Sequence, residues 1–108
     1  MSQELQNKFK VMSNEQLKKA SECLKTISHP ARLKMVQLLM QGELPVYSIA
    51  ALCHLSPNQT CEHLRMMLGR GFLKSRKDGR TVYYSITSPK LPALIHCINA
   101  HIDTPDDK

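Results

Sequence analysis

The spacing of apolar residues along the chain changes twice. As far as Gly71 they recur every three or four positions, between Phe72 and Ile86 the period drops to two, most plainly over Thr81 to Ile86, and beyond Ser88 the helical spacing returns. The first periodic stretch, "SNEQLKKASECLKTI", holds Ser13 and Gln16 at the separation of a capping box, and its Leu17, Ala20, Leu24 and Ile27 define a face to be buried. "SHPARLKMVQLLMQG" predicts a second helix, with Ser28 as cap, Pro30 in the first turn, Leu33, Val36, Leu39 and Met40 inward, and Gly42 as its end. A short third helix follows from about Val46 to His54, and a tight break at Leu55 and Ser56 leads into a fourth over 57–70. There the Ser56 hydroxyl can accept from free first-turn N–H groups, Pro57 gives up no bonded N–H, and Gln59 can reach back to the cap. Thr60, Leu64, Met67 and Leu68 share the inward face of that helix, and Gly71 can end it.

The alternating stretch, "FLKSRKDGRTVYYSI" (72–86), predicts two strands joined at Asp78-Gly79, a dipeptide that suits a two-residue hairpin turn. Val82, Tyr84 and Ile86 fall on one side of it and Thr81, Tyr83 and Ser85 on the other. "SPKLPALIHCINAHI" predicts a last helix capped by Ser88, with Pro89 and Pro92 tolerated in its first turn and an apolar stripe of Leu91, Leu94, Ile95, Ile98 and Ile102. These elements make one domain, 13–103, between polar ends at 1–12 and 104–108 that are expected to be flexible.

Composition narrows the class. In 108 residues, 42% hydrophobic, no apolar run approaches the roughly 20 residues that cross a bilayer, and "MSQELQNKFK" lacks the apolar core of a secretion signal. A cytoplasmic protein with no membrane partner is the expectation. The net charge of +6 makes a polyanion the first partner to consider. The charge is also local: Arg65, Arg70, Lys74, Arg76, Lys77 and Arg80 face only Asp78 between positions 65 and 80.

Helix, helix, short helix, tight turn, helix, hairpin is the order of a winged helix-turn-helix, mainly α with a small β-hairpin wing. Its fourth helix would bury one face and offer the other to a major groove, while Arg76, Lys77 and Arg80 on the hairpin meet phosphates or a minor groove. With "LKTISHPARLKMVQLL", "SPNQTCEHLRMMLGRGFLKSRKDGRTVYYSI" and the closing amphipathic helix in place, the chain resembles the ArsR/SmtB-type transcriptional repressors over roughly Leu17 to His101. The resemblance implies a bacterial homodimer built on the first and last helices. It also implies double-stranded operator DNA as partner and release by an effector, here unidentified. Carried over by position, the DNA-facing residues are Ser56, Asn58, Gln59, Cys61, Glu62, His63 and Arg65. Glu62 departs from the family, where glutamine or a basic residue is commoner, and reads as solvent-facing or paired with Arg65.

The family's metal sites do not carry over. "ELPVYS" puts Pro45 and Tyr47 where one site needs thiolates, and the last-helix site would fall on Ser88, Lys90, His101 and Thr104, with one ligand in four and a repelling lysine. His96, His101 and Asp103 lie nearby, but His96 and His101 diverge by about 140° around a helix. Cys61 and His63, about 200° apart, cannot easily share one ion. No metal or other cofactor is therefore expected. The four cysteines, Cys23, Cys53, Cys61 and Cys97, form no C-x-x-C pair and read as free thiols. Cys23 and Cys97, on the two helices assigned to the dimer interface, form a candidate redox- or sulfur-responsive switch. No nucleophile–base set or phosphate loop is legible, so no enzyme is expected. A protein-interaction module that keeps the winged helix without binding DNA is the rival from another class.

Overall fold

The computed structural model describes residues 8–87 and 90–102. Along them the elements run α1 (Asn14–Ile27), α2 (Pro30–Leu39), β1 (Leu44–Pro45), α3 (Val46–Cys53), α4 (Pro57–Gly69), β2 (Leu73–Asp78), β3 (Thr81–Ile86) and α5 (Lys90–Ile102). Both capping boxes form. Ser13 Oγ accepts from the Gln16 N–H at 3.2 Å while Gln16 Oε1 accepts from the Ser13 N–H at 2.9 Å. At α4, Ser56 and Gln59 make the same exchange, with both bonds at 3.1 Å.

The cap of α2 differs from the expected Ser28. Only Ser28 and His29 separate α1 from α2, and Ser28 is taken up in closing α1, donating its N–H to the Lys25 carbonyl at 3.2 Å. His29 caps α2 instead, its Nδ1 accepting from the Ala31 N–H at 3.1 Å.

The turn between α3 and α4 is made by His54, Leu55 and Ser56. His54 is left-handed (φ 57°), its N–H donates to Ala51 O at 3.2 Å, and the Leu55 N–H donates to Ala50 O at 3.0 Å. These paired bonds satisfy the last carbonyls of α3. Glycine usually holds such a position, since a side chain there costs about 1–2 kcal/mol. Gly71 (φ 80°) does hold it at the end of α4, where its own N–H and that of Phe72 reach Leu68 and Met67 carbonyls, both at 3.0 Å.

The sheet has the antiparallel order β1–β3–β2. β1, two residues including a proline, is too short to leave a pattern in the sequence. It pairs Leu44 with Tyr84 and Pro45 with Tyr83. The hairpin turns one residue later than expected: Asp78 pairs with Thr81, leaving Gly79 and Arg80 as the loop. With Gly79 first in the loop (φ 66°), no other residue of the turn needs a positive φ, whereas a loop of Asp78 and Gly79 in the favoured asparagine/aspartate–glycine geometry would need it at Asp78 as well. Arg80 thereby stands at the tip of the wing.

The core is centred on Met35, Val36, Ile49, Leu64 and Met67, all fully buried, and extends to Leu73, Tyr84, Leu91 and Ile95. Three residues on the inner face of α4, Thr60, Leu64 and Met67, lie in it; burial of an aliphatic side chain contributes about 1.5–3 kcal/mol. Thr60 carries its hydroxyl inward at no cost because it donates to Ser56 O at 2.9 Å. The expected buried face of α1 is only partly realised. Thr26 and Ile27 enter the core, but Leu17 and Leu24 remain 45% and 54% exposed, because only the C-terminal end of α1 reaches the body within one chain. Leu24, Ile27, Leu33 and Leu94 line a shallow groove of about 270 Å³ between α1, α2 and α5. On α5, Leu91 and Ile95 are buried and Ile102 is exposed, while Ser88, Pro89 and Asp103 and the side chains of Ile98 and His101 lie outside the described residues.

Candidate nucleic-acid interface

The outer face of α4 carries Asn58, Gln59, Glu62, Arg65 and Met66, all exposed. Ser56, Asn58, Gln59, Glu62 and Arg65 therefore share one accessible surface. Two of them are constrained by the capping box. Because the Gln59 carbonyl oxygen accepts from the Ser56 N–H, only its amide N–H groups remain for another partner. Gln59 can therefore donate to an acceptor but cannot both donate to and accept from an adenine edge without breaking the cap. Glu62 makes no ion pair among the described residues, so it takes the solvent-facing position and not the Arg65-paired one.

Cys61 and His63 leave α4 on opposite flanks. Cys61 is half-buried on the wing side, in a groove of about 220 Å³ lined by Tyr47, Arg80, Val82 and Tyr84. His63 points to α2. Its Nδ1 accepts from Arg32 Nε–H at 3.0 Å, and Arg32 Nη1–H donates to the Thr26 carbonyl at 2.8 Å. The ring lies 4.7 Å from that of His29, tilted by 50°. One guanidinium thus joins the end of α1, the start of α2 and the middle of α4. Burial lowers the His63 pKa, and repulsion from Arg32 and His29 lowers it further, against an opposing pull from Glu62. The ring is neutral near pH 7, the form that can accept the Arg32 bond.

In the wing, Lys74 through Asp78 are all exposed. Arg76 is held in place: it forks onto Glu43 with three hydrogen bonds of 2.9 to 3.1 Å, and its guanidinium carbon lies 4.5 Å from the centre of the Tyr83 ring. Asp78 lies 3.9 Å away on the other side. The arginine on β2 therefore crosses β3 to reach the residue just before β1, fastening the three strands across their outer surface. Lys77 and Arg80 have no such partner among the described residues and project from the wing. Arg70, in the same basic stripe, lies 3.5 Å from Glu22 of α1.

The remaining chemistry is sparse. All four cysteines are free: Cys23 on α1 is half-buried, Cys97 on α5 is exposed, and burial raises the Cys53 pKa against the pull of Lys34, keeping it a thiol. Among the described residues no three histidine, cysteine or acidic side chains converge as a metal site. His96 is exposed, and the His101 side chain and Asp103 lie outside the described residues. Three residues that organise the site had no assigned role in the sequence. Arg32 stands inside the quoted "SHPARL" start, Glu43 opens "ELPVYS", and Tyr83 lies in "YYSI". For Arg32 and Glu43 the partners lie 31 and 33 positions away, beyond any local spacing rule, whereas Tyr83 meets Arg76 as its cross-strand pair in the hairpin.

Comparison with known proteins places this geometry. The family described as bacterial regulatory protein, arsR family, matches residues 29–75, from the cap of α2 into β2. The transcriptional repressor PagR of Bacillus anthracis is 38% identical over 80 residues, covering 73% of this chain and 80% of that protein. Its crystal structure superposes with a TM-score of 0.68 at 35% identity, over 81% of this chain and 100% of that one. A SmtB-homologue repressor from Synechocystis sp. is 29% identical, over 89% of this chain and 73% of its own. A solution structure from Mycobacterium bovis, described as a homodimeric winged helix-turn-helix DNA-binding domain, shares the fold with a TM-score of 0.75 at 22% identity, over 88% of this chain and 91% of that one.

Proposed function

The chain belongs to the arsR family of bacterial regulatory proteins, and we propose that it is a DNA-binding transcriptional repressor that lays α4 in the major groove of an operator with the β2–β3 wing along one flank. One observation carries this reading. α4 is locked into the core by Thr60, Leu64 and Met67, while its opposite face offers Asn58, Gln59 and Arg65 beside a wing whose Lys77 and Arg80 are uncommitted. Gln59 and Asn58 reach base edges or phosphates, and Arg65, Lys77 and Arg80 neutralise backbone charge. Arg76 serves by holding the wing in position, its own charge being met by Glu43. His63 serves by seating α4, and Cys61 lies at the junction with the wing.

The working unit in this proposal is a homodimer joined through α1 and α5, in the cytoplasm where operator DNA lies. The support is the apolar surface that a single chain leaves exposed on those helices: Leu24 and Leu94 at the groove between them, and Leu17 two turns earlier on α1. An effector then releases the operator by changing how the two α4 helices are spaced.

Gel-shift or anisotropy titration with the promoter region of its own operon tests the reading. Wild-type protein should bind with steep salt dependence. Gln59→Glu keeps an acceptor for the cap and removes the side-chain donor, so it should lose affinity at least several-fold without lowering Tm. A wild-type protein that binds no duplex at low salt would refute the DNA-binding function and favour the interaction module.

A further inference from the structure

On the basis of the DNA-binding function proposed above, we propose that Arg32 is an operator-phosphate ligand, holding the backbone on the side of α4 opposite the wing. Its fork is already fixed at two points, by the Thr26 carbonyl at 2.8 Å and His63 Nδ1 at 3.0 Å. Both acceptors are uncharged. A guanidinium has five N–H groups, and these two bonds leave Nη2 without an acceptor among the described residues. Arg32 is half-buried and has no carboxylate partner among the described residues. Arg76 provides the internal contrast, since its charge is cancelled by Glu43.

The surroundings fit an anion. Arg32, Glu62, His63, Arg65 and Met66 line an open hollow of about 480 Å³ on the α2 side of α4. Two guanidinium groups face one carboxylate there, so the hollow stays net positive even with Glu62 in its wall. Its position supplies what the wing cannot. A helix in a major groove about 12 Å wide has a phosphate backbone on each side. Lys77 and Arg80 can serve the wing side, and Arg32 with Arg65 serves the other. A fork held rigid before binding loses little side-chain freedom on meeting a phosphate.

The test is operator affinity measured by fluorescence anisotropy across a salt series, using the duplex of the protein's own promoter region and an unrelated duplex. Arg32→Gln should weaken binding several-fold on both duplexes and reduce the slope of log K against log salt by about 0.9, the share of one phosphate contact. A weaker complex with an unchanged slope would mean that Arg32 only props up α4, and would overturn the proposal. Where Arg32→Gln does not fold, the wild-type protein decides. Phenylglyoxal labelling read by mass spectrometry should show Arg32 protected by the duplex and exposed again at high salt. Equal labelling of Arg32 with and without DNA, while Arg65 is protected, refutes the proposal and leaves the DNA-binding function standing. Absence of binding by wild-type protein refutes both.

Discussion

α4 and the wing are both tied to the rest of the molecule by an arginine, in opposite surroundings. Arg32 works half-buried, between a carbonyl and an imidazole; Arg76 works at the surface, on a carboxylate and over the Tyr83 ring. The rest of each element follows suit. α4 drives Thr60, Leu64 and Met67 to zero exposure, whereas five consecutive residues of β2 lie open to solvent. The helix is fixed mainly by apolar packing, which salt does not weaken. The wing is fixed by strand pairing and a surface fork that water and ions weaken. In the proposed complex with DNA, such a scaffold would hold α4 rigid against the duplex and leave the wing the more adjustable of the two.

The largest break in that contrast should come from the core. Leu64→Ala is expected to cost about 2–5 kcal/mol in denaturant unfolding. Val82→Ala, on the half-buried face of the wing, should cost clearly less, and equal losses would erase the distinction. Ser56→Ala removes one half of the α4 capping box and should cost about 1 kcal/mol, read as a lower Tm with the start of α4 exchanging its amide protons faster.

A pH titration probes the buried tie. His63 contributes fully above the ordinary histidine range, where its neutral ring accepts from Arg32. As the pH falls through that range and then through the depressed native value, the unfolded chain takes up the proton first, so stability is lost. Tm should therefore drop between about pH 7 and pH 5 more steeply in wild type than in His63→Gln, which keeps an acceptor and does not titrate. Identical profiles would show that the ring is not coupled to folding. The smallest effect belongs to Glu43→Gln. It should leave Tm almost unchanged yet speed amide exchange in β2, with the difference fading at high salt. A large drop in Tm would mean that the wing is fastened as firmly as the helix.

How much of this was legible depends on the range of the interaction. The capping box at Ser56 and Gln59, the inward set of Thr60, Leu64 and Met67 with Leu68 half-buried beside it, and the glycine stop at Gly71 are all local, and each appears where its spacing predicts. β3 is equally plain from alternation, whereas β2, with no apolar residue after Leu73, is legible only from the turn signal that follows it. The Asp78-Gly79 dipeptide points to a turn one residue too early because it is only a local preference, while the pairing of Asp78 with Thr81 confines the positive φ to Gly79. Ser28 lost its cap to His29 because two helix ends compete for a two-residue link. Among the candidate DNA contacts, composition could identify Arg76 as basic and exposed, but only the sheet order brings Glu43 to it.

The sequence by itself determined what depends on near neighbours: which segments are helical or extended, where each begins, which face of α4 turns inward, and that the basic charge gathers between 65 and 80. The arsR family likeness was written in those same local patterns. Tertiary structure decided what each charge is free to do. Arg32 and Arg76 are indistinguishable as letters, but folding gives one neutral partners and the other a carboxylate. Electrostatic role depends on distances set by packing between residues far apart in the chain, and no periodicity encodes those distances.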